Sequence, residues 1–391
     1  MTRWRTAKLE DVSQVLGGGT PSRAVESYFG GGIAWATPTD ITSLDGLYIA
    51  QTKETISDEG LRNSSTKLMP PGAVLLTSRA TIGFTAVAQV PICTNQGLVS
   101  FVCGPDLVPE YLAYWLRTQK SKLIQHAGGT TFKEIARGTV RKFVIPVPPT
   151  AEQRRIVDLL SRAEGIVRLR REAEKKAAEL IPALFLDMFG DPATNPMEWP
   201  VMTIREISAL VTSGSTPRGG AGVYVEEGPS FIRSQNVLMN RLDLSDAARI
   251  TPDIHKQMAR TAVKSGDVLL NITGASIGRV AWVETLDGEA NVNQHVCIIR
   301  LDYTAAEPIY LSVCLSMPYH QQLINTVQAG ASRQALNHAQ VRSLRVAVPP
   351  IELQHRFVER TSGIISIQSQ QSAATAKAQA AFDSLLSVAF R

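Results

Sequence analysis

The chain contains two tandem copies of one unit of about 195 residues, and this duplication constrains its fold more than any other feature. Trp4, Leu9, Val12, Val15 and Thr20-Pro21 return as Trp199, Ile204, Ile207, Leu210 and Thr216-Pro217. PGAVLLTSRATIG (71–83) returns as SGDVLLNITGASIG (265–278), and Asn95-Gln96 returns as Asn293-Gln294. IPVPPTAEQRR (145–155) returns as VAVPPIELQHR (346–356). The offset is 195 at Trp4 and 201 at Arg155, so the copies differ only by short loop changes. A chain of 391 residues also exceeds the size at which one core is comfortable.

Each copy has two parts. The first mixes strand and helix signals with many turn residues. VLLTS, FTAVAQV, VLLNI and RVAWV read as short strands, because they are rich in β-branched and apolar residues. YLAYWLRTQKSKLIQH (111–126) and YLSVCLSMPYHQQLI (310–324) read as amphipathic helices. GGGTPS (17–22) marks a loop. The second part begins at a double proline and reads as one long helix. The expected layout is a mixed domain at 1–150, a long helix at 151–190, a linker and second mixed domain at 191–350, and a second long helix at 351–391.

The long helices carry apolar positions alternately three and four apart. In the first, the seam is Ile156, Leu159, Ala163, Ile166, Ala173, Ala177, Leu180 and Leu184, with a kink expected near Pro182. In the second it is Phe357, Ile364, Ile367, Ala374, Ala378, Ala381, Leu385 and Val388. Both seams have a polar break at the matching place, Arg170 and Gln371. Two unrelated amphipathic helices, each packed on its own domain, would also show apolar stripes; matched lattices with matched defects favour mutual packing. A helix of about 35 residues spans on the order of 50 Å. A pair of them could hold two heads over DNA segments about one 34 Å turn apart. Heads with different loops could then read an asymmetric, split sequence.

Composition narrows the function classes. The net charge of +5 leans toward a polyanionic partner without establishing one. Cys93, Cys103, Cys297 and Cys314 form no CxxC pair and lie at no zinc-ligand spacing, which suits buried thiols in a reducing compartment. With a charged N-terminus and no long apolar run, the expectation is a cytoplasmic protein with no membrane association. None of GxxxxGK[ST], GxGxxG and HExxH occurs, and the Asn/Asp-Pro-Pro-aromatic element of adenine methyltransferases is missing. No catalytic residue, metal site or cofactor is therefore expected. Two rival classes stay open. A nuclease would need clustered acids, whereas Asp40, Asp45 and Asp58 are spread out and unmatched in copy two. A two-headed protein adaptor would have the same helices without needing polar loops on both heads.

The layout of domain, helix, domain, helix resembles the DNA-specificity subunit of type I restriction–modification enzymes over essentially the whole chain. The resemblance rests on ordered, duplicated fragments: GGGTPS or SGSTPR, PGAVLL or SGDVLL, then NQ, then IPVPP or VAVPP leading into EQRRIVDLL. The junction LFLDMFGDPATNPMEWP (184–200) resembles the family's linker. The resemblance implies an α+β fold with two α/β target-recognition domains separated by long helices. With the two-headed design, it also implies that the helices pair antiparallel as a coiled coil. It further implies a non-catalytic subunit that binds double-stranded DNA, docks two methylation subunits on its helices, and is joined by restriction subunits in the full complex.

Base-reading residues vary between members of such a family, so the DNA contacts are nominated from chemistry. Arg and Lys suit phosphates and guanine, Asn and Gln suit adenine, and Ser and Thr suit either. In the first head the nominees are Thr77, Ser78, Arg79 and Thr81, then Gly129, Thr130, Thr131 and Lys133, with Arg23 and Arg137 as lesser candidates. In the second they are Asn271, Thr273 and Ser276, then Ser332, Arg333 and Gln334, supplemented by Arg218, Arg233, Gln235 and Asn236. Gln96 and Gln294 are weaker nominees, and the recurring Asn95 and Asn293 better suit a structural turn. His295, a lone histidine in a strand-rich segment, reads as structural. The charged run around Arg168 and Arg171 reads as a salt-bridged face or a partner surface.

Overall fold

The computed structural model describes residues 4–129, 133–329 and 335–390. The chain divides into two compact units, one formed by 1–174 with 371–391 and the other by 175–370. Each contains one head and a segment of both long helices.

In the first unit a five-stranded sheet runs in the order Ser13–Gly17, Leu98–Cys103, Val74–Thr77, Thr85–Ala88, Tyr48–Ile49. Val74–Thr77 and Thr85–Ala88 are buried throughout because both faces of the sheet are covered there. Val74 and Leu76 pack with Val99, Phe101 and the helix Pro109–Thr118. Leu75, between them, turns to a second cluster with Ile41, Ile49 and Met69. A three-stranded sheet, Thr55–Ile56, Phe29–Ala36, Ile92–Thr94, lies in the same head. The second unit repeats this design. Ser208–Ser213, Val296–Leu301, Val268–Asn271 and Val280–Trp282 form the main sheet, and Ala248–Arg249, Val225–Ile232 and Ala290–Val292 form the smaller one.

Each head closes on itself. Arg5–Lys8 pairs antiparallel with Val144–Val147, and Val201–Thr203 with Arg345–Ala347. The repeated IPVPP and VAVPP segments thus carry a closing strand and the proline-marked start of a long helix. A buried glutamine fastens each helix to its head. Gln153 accepts from the Val108 N–H (2.8 Å) and donates to the Asp106 and Pro148 carbonyls (both 2.8 Å). Gln354 accepts from the Glu307 N–H (2.9 Å) and donates to the Pro349 (2.8 Å) and Ala305 (3.3 Å) carbonyls.

The long helices span Thr150–Phe189 and Ile351–Ala389. The first continues through Gly165 and Pro182, although Pro182 has no N–H for the ladder. Its early part packs with the end of the second helix in the first unit, where Ile156, Leu160, Ala163 and Val167 share a cluster with Ala378, Phe382 and Leu385. Its late part packs with the start of the second helix in the other unit, where Ile181 and Phe185 join Phe357 and Ile364. This is the pattern of an antiparallel pair. The two polar breaks meet: Arg170 donates to Gln371 at 3.2 Å. Arg171 donates to Gln379 (2.8 Å) and Gln368 to the Ala177 carbonyl (2.7 Å).

The seam expected from the sequence needs correcting in phase. Leu159, Ile166 and Leu180 are exposed, as are Ile367, Ala381 and Val388. Burial falls one residue later, on Leu160, Val167, Ile181 and Phe382, while Ile156, Ala177 and, more partially, Ala163, Ile364, Ala378 and Leu385 keep their places. Ala173 and Ala374 are half-buried. The steps run four-three rather than three-four. The sequence permits either, since it reads Leu-Leu at 159–160, Ile-Val at 166–167 and Leu-Ile at 180–181. The expected amphipathic helices also differ. The first breaks at Gln119 into Pro109–Thr118 and Lys120–Gln125, the second before Pro318 into Pro308–Ser316 and Pro318–Ala329. Residues 111–116 are buried all round, because sheet and long helix cover them from different sides.

Candidate nucleic-acid interface

In each head four loops converge beyond the Val-Leu-Leu strand, and a glycine lets two of them meet. A Cβ on Gly18 would lie 1.8 Å from the Asn95 carbonyl oxygen, and one on Gly214 1.6 Å from that of Val292. Only glycine lets the Thr-Pro loop approach the Asn-Gln turn so closely. The approach brings the Thr20 hydroxyl onto the Gln96 side chain and, in the other head, Thr216 onto Gln294. Asn95 accepts from the Gly97 N–H (2.9 Å) and Asn293 from the His295 N–H (3.0 Å), so both asparagines brace the turn.

In the first head the Ser78 N–H donates to the Gly97 carbonyl, and the Ile135 N–H donates to that of Ser78 (both 2.9 Å). The Ala80 N–H reaches the Lys133 carbonyl (3.1 Å), and Gly128 and Glu134 exchange backbone bonds (3.0 and 2.9 Å). Arg79, Thr81, Gly129 and Lys133 are thereby gathered, all exposed. Arg79 faces Glu134 at 3.7 Å, with nearly half of each side chain in solvent. Arg137 is exposed at the start of Arg137–Val140, its guanidinium near Gly17. Thr130 and Thr131 lie outside the described residues.

The second head joins its loops in the same way. The Ile272 N–H donates to the His295 carbonyl (2.9 Å) and the Leu336 N–H to that of Ile272 (2.8 Å). A cleft of about 520 Å³ opens there, lined by Gln235, Thr273, Ser276, Arg279 and His295 among others. Arg218 is exposed on the Thr-Pro loop. Ser332, Arg333 and Gln334 lie outside the described residues.

Several nominees do other work. Thr77, Ser78, Asn236 and Asn271 are buried and have no surface to present to DNA. Thr77 accepts from the Phe84 N–H (2.9 Å). Asn271 donates to the Ser234 carbonyl (2.8 Å), and Asn236 to the Asp246 carboxylate (2.9 Å). The reason is their position: they end core strands or close turns, where a polar side chain satisfies backbone groups that water cannot reach. Asp246 also accepts from Gln235 (3.0 Å), and its carbonyl accepts from Arg233 (3.3 Å). Arg23 forms a two-pronged pair with Glu54 (2.7 Å for each bond) and stacks on Phe29. That pairing raises the guanidinium pKa and lowers that of the carboxylate. Sequence reasoning missed Glu134 and Asp246, whose only signal is an acid near basic or amide-rich loops.

Among the described residues no group of three His, Cys, Asp or Glu suited to an ion occurs. Burial pushes the Cys93 thiol up to about 11 and those of Cys103, Cys297 and Cys314 up to about 12, which keeps them protonated at neutral pH. Among the described residues no helix is long and apolar enough to cross a membrane.

The profile of a family described as the type I restriction modification DNA specificity domain matches both copies, over residues 1–179 and 196–374. The chain belongs to this family. It is 27% identical over 351 residues to the type I restriction enzyme MjaIX specificity subunit of Methanocaldococcus jannaschii, covering 81% of this chain and 80% of that one. It is 26% identical to the EcoBI specificity subunit of Escherichia coli, across 69% of this chain and 62% of the relative. The fold matches the crystal structure of the type I S subunit from M. genitalium with a TM-score of 0.60 at 14% identity, covering 99% and 96% of the two chains.

Proposed function

We propose that this specificity subunit reads a bipartite, asymmetric DNA target, one block per head, docks two methylation subunits on its long helices, and performs no catalysis itself. Restriction subunits complete the assembly. The carrying observation is that two heads of similar design hold different chemistry at matching loop positions. Where the first head has Arg79 beside Glu134 and a side-chain-free Gly97, the second has Thr273 and His295. Similar scaffolds with unlike loops suit unlike half-sites. The direct contacts proposed are Arg79, Thr81, Gly129, Lys133 and Arg137 in one head, and Gln235, Thr273 and Ser276 in the other, with Arg218 on phosphate. Exposed Leu159, Ile166 and Leu169 supply apolar surface for docking in the first unit, and Leu180 and Ile367 in the second.

Single-molecule sequencing of host DNA, with this gene intact and deleted, tests the reading. Loss of one two-block methylation motif on deletion is the expected result. Replacing loop 128–133 should then alter one block and replacing loop 330–334 the other. An unchanged map with an active methylation partner, or both blocks changing together, overturns it.

A further inference from the structure

The second head contains a chain of side-chain hydrogen bonds that the first head lacks. Thr216 donates its hydroxyl to the Gln294 carbonyl oxygen. Because that oxygen is the acceptor, the other end of the amide is the donor, and Gln294 Nε2 donates to His295 Nε2 at 3.2 Å. An imidazole accepting at Nε2 carries its proton on Nδ1. Nδ1–H therefore donates to the Thr273 Oγ1. Once that oxygen accepts the hydrogen bond from the ring N–H, the Thr273 hydroxyl hydrogen must turn away from the ring. Thr273 lines the cleft shared with Gln235, Ser276 and Arg279, and the cleft is where that hydrogen can go.

The matching chain in the first head ends after one link. Thr20 meets Gln96, but Gly97 stands where His295 does, and Arg79 stands where Thr273 does. The three strands that carry these loops pair alike in both heads, so the extra links are not required to build them.

We propose that His295 is a specificity-positioning residue for the second half-site: it sets Thr273 as a hydrogen-bond donor toward DNA. This rests on the DNA-reading function proposed above. In the major groove a donor favours acceptor-bearing edges, namely guanine O6 and N7, adenine N7 or thymine O4, and disfavours the cytosine amino group. Without the ring, the Thr273 hydroxyl rotates freely and both donates and accepts, so one position of one block loses its discrimination against cytosine.

The test is site selection from a duplex library randomised over both blocks, using complexes assembled with the methylation subunits. His295→Ala is expected to relax discrimination against cytosine by about tenfold at one position of one block and leave the other block intact. Thr273→Val should relax the same position. His295→Asn, whose amide can still donate to Thr273, should restore the preference. If His295→Ala selects the wild-type motif unchanged, or if it disturbs both blocks equally, the positioning role is refuted. Should His295→Ala fail to assemble, Thr273→Val and His295→Asn decide: unchanged selection in the former, or lost discrimination in the latter, refutes it. A wild-type complex that selects no two-block motif instead removes the DNA-reading function itself.

Discussion

Replacing Gln153 by alanine tests the idea that a buried amide fastens the first long helix to its head. Gln153 is fully buried, and its three bonds serve one N–H and two carbonyls from separate stretches of chain. Truncation leaves all three without this partner, the Pro148 carbonyl fully buried and the Val108 N–H and Asp106 carbonyl part-buried. An orphaned buried group costs about 1–3 kcal/mol and a part-exposed one less, so the loss is about 2–3 kcal/mol. For a unit of this size that corresponds to a melting shift of roughly 4–12 °C. Two units need not unfold together, so a single midpoint is a poor measure. Hydrogen exchange on the full chain is the better assay. Amides of Pro109–Thr118 and Leu98–Cys103 should lose protection, while those of Val268–Asn271 and Val296–Leu301 should not. Gln153→Glu keeps the acceptor but turns both donations into lone-pair repulsion, and should be no less damaging. Protection within about 1 kcal/mol of the wild type in Gln153→Ala would refute the reasoning, since it would mean that the three groups find other partners at little cost.

The phase of the helix seam separates two neighbouring leucines. Leu160→Ala should cost about 2–5 kcal/mol, whereas Leu159→Ala should stay within about 0.5 kcal/mol in urea unfolding and instead weaken co-purification of the methylation subunits. His320, buried against Cys314 and the Arg345 carbonyl, has its imidazole pKa lowered by loss of solvent. The unfolded chain therefore takes up that proton first, and this residue's contribution to stability should fall as pH drops through about 6.5. Denaturation midpoints of His320→Asn measured from pH 7.5 to 5.5 should show a shallower decline than the wild type; an equal slope would remove His320 as its source.

Much of the architecture was legible in the residues themselves. A duplicated pattern must fold twice, and the order of Thr-Pro, Val-Leu-Leu, Asn-Gln and Pro-Pro elements marked both heads and both helix starts. The matched polar breaks at Arg170 and Gln371 pointed to helix pairing, and the two side chains do meet. These are local or periodic properties, written in the chain without reference to what surrounds it. Tertiary structure alone decided which side of each helix is buried. Leu159 and Leu160 are equally apolar, and only the position of the head and the opposing helix selects Leu160. It also decided which polar loop residues face water. Thr77 and Asn236 have the same functional groups as Thr81 and Gln235, yet the former end buried because their backbones lie where strands and turns need internal partners. Sequence specifies a side chain's donors and acceptors; the packed fold determines whether they are spent on the protein or left for DNA.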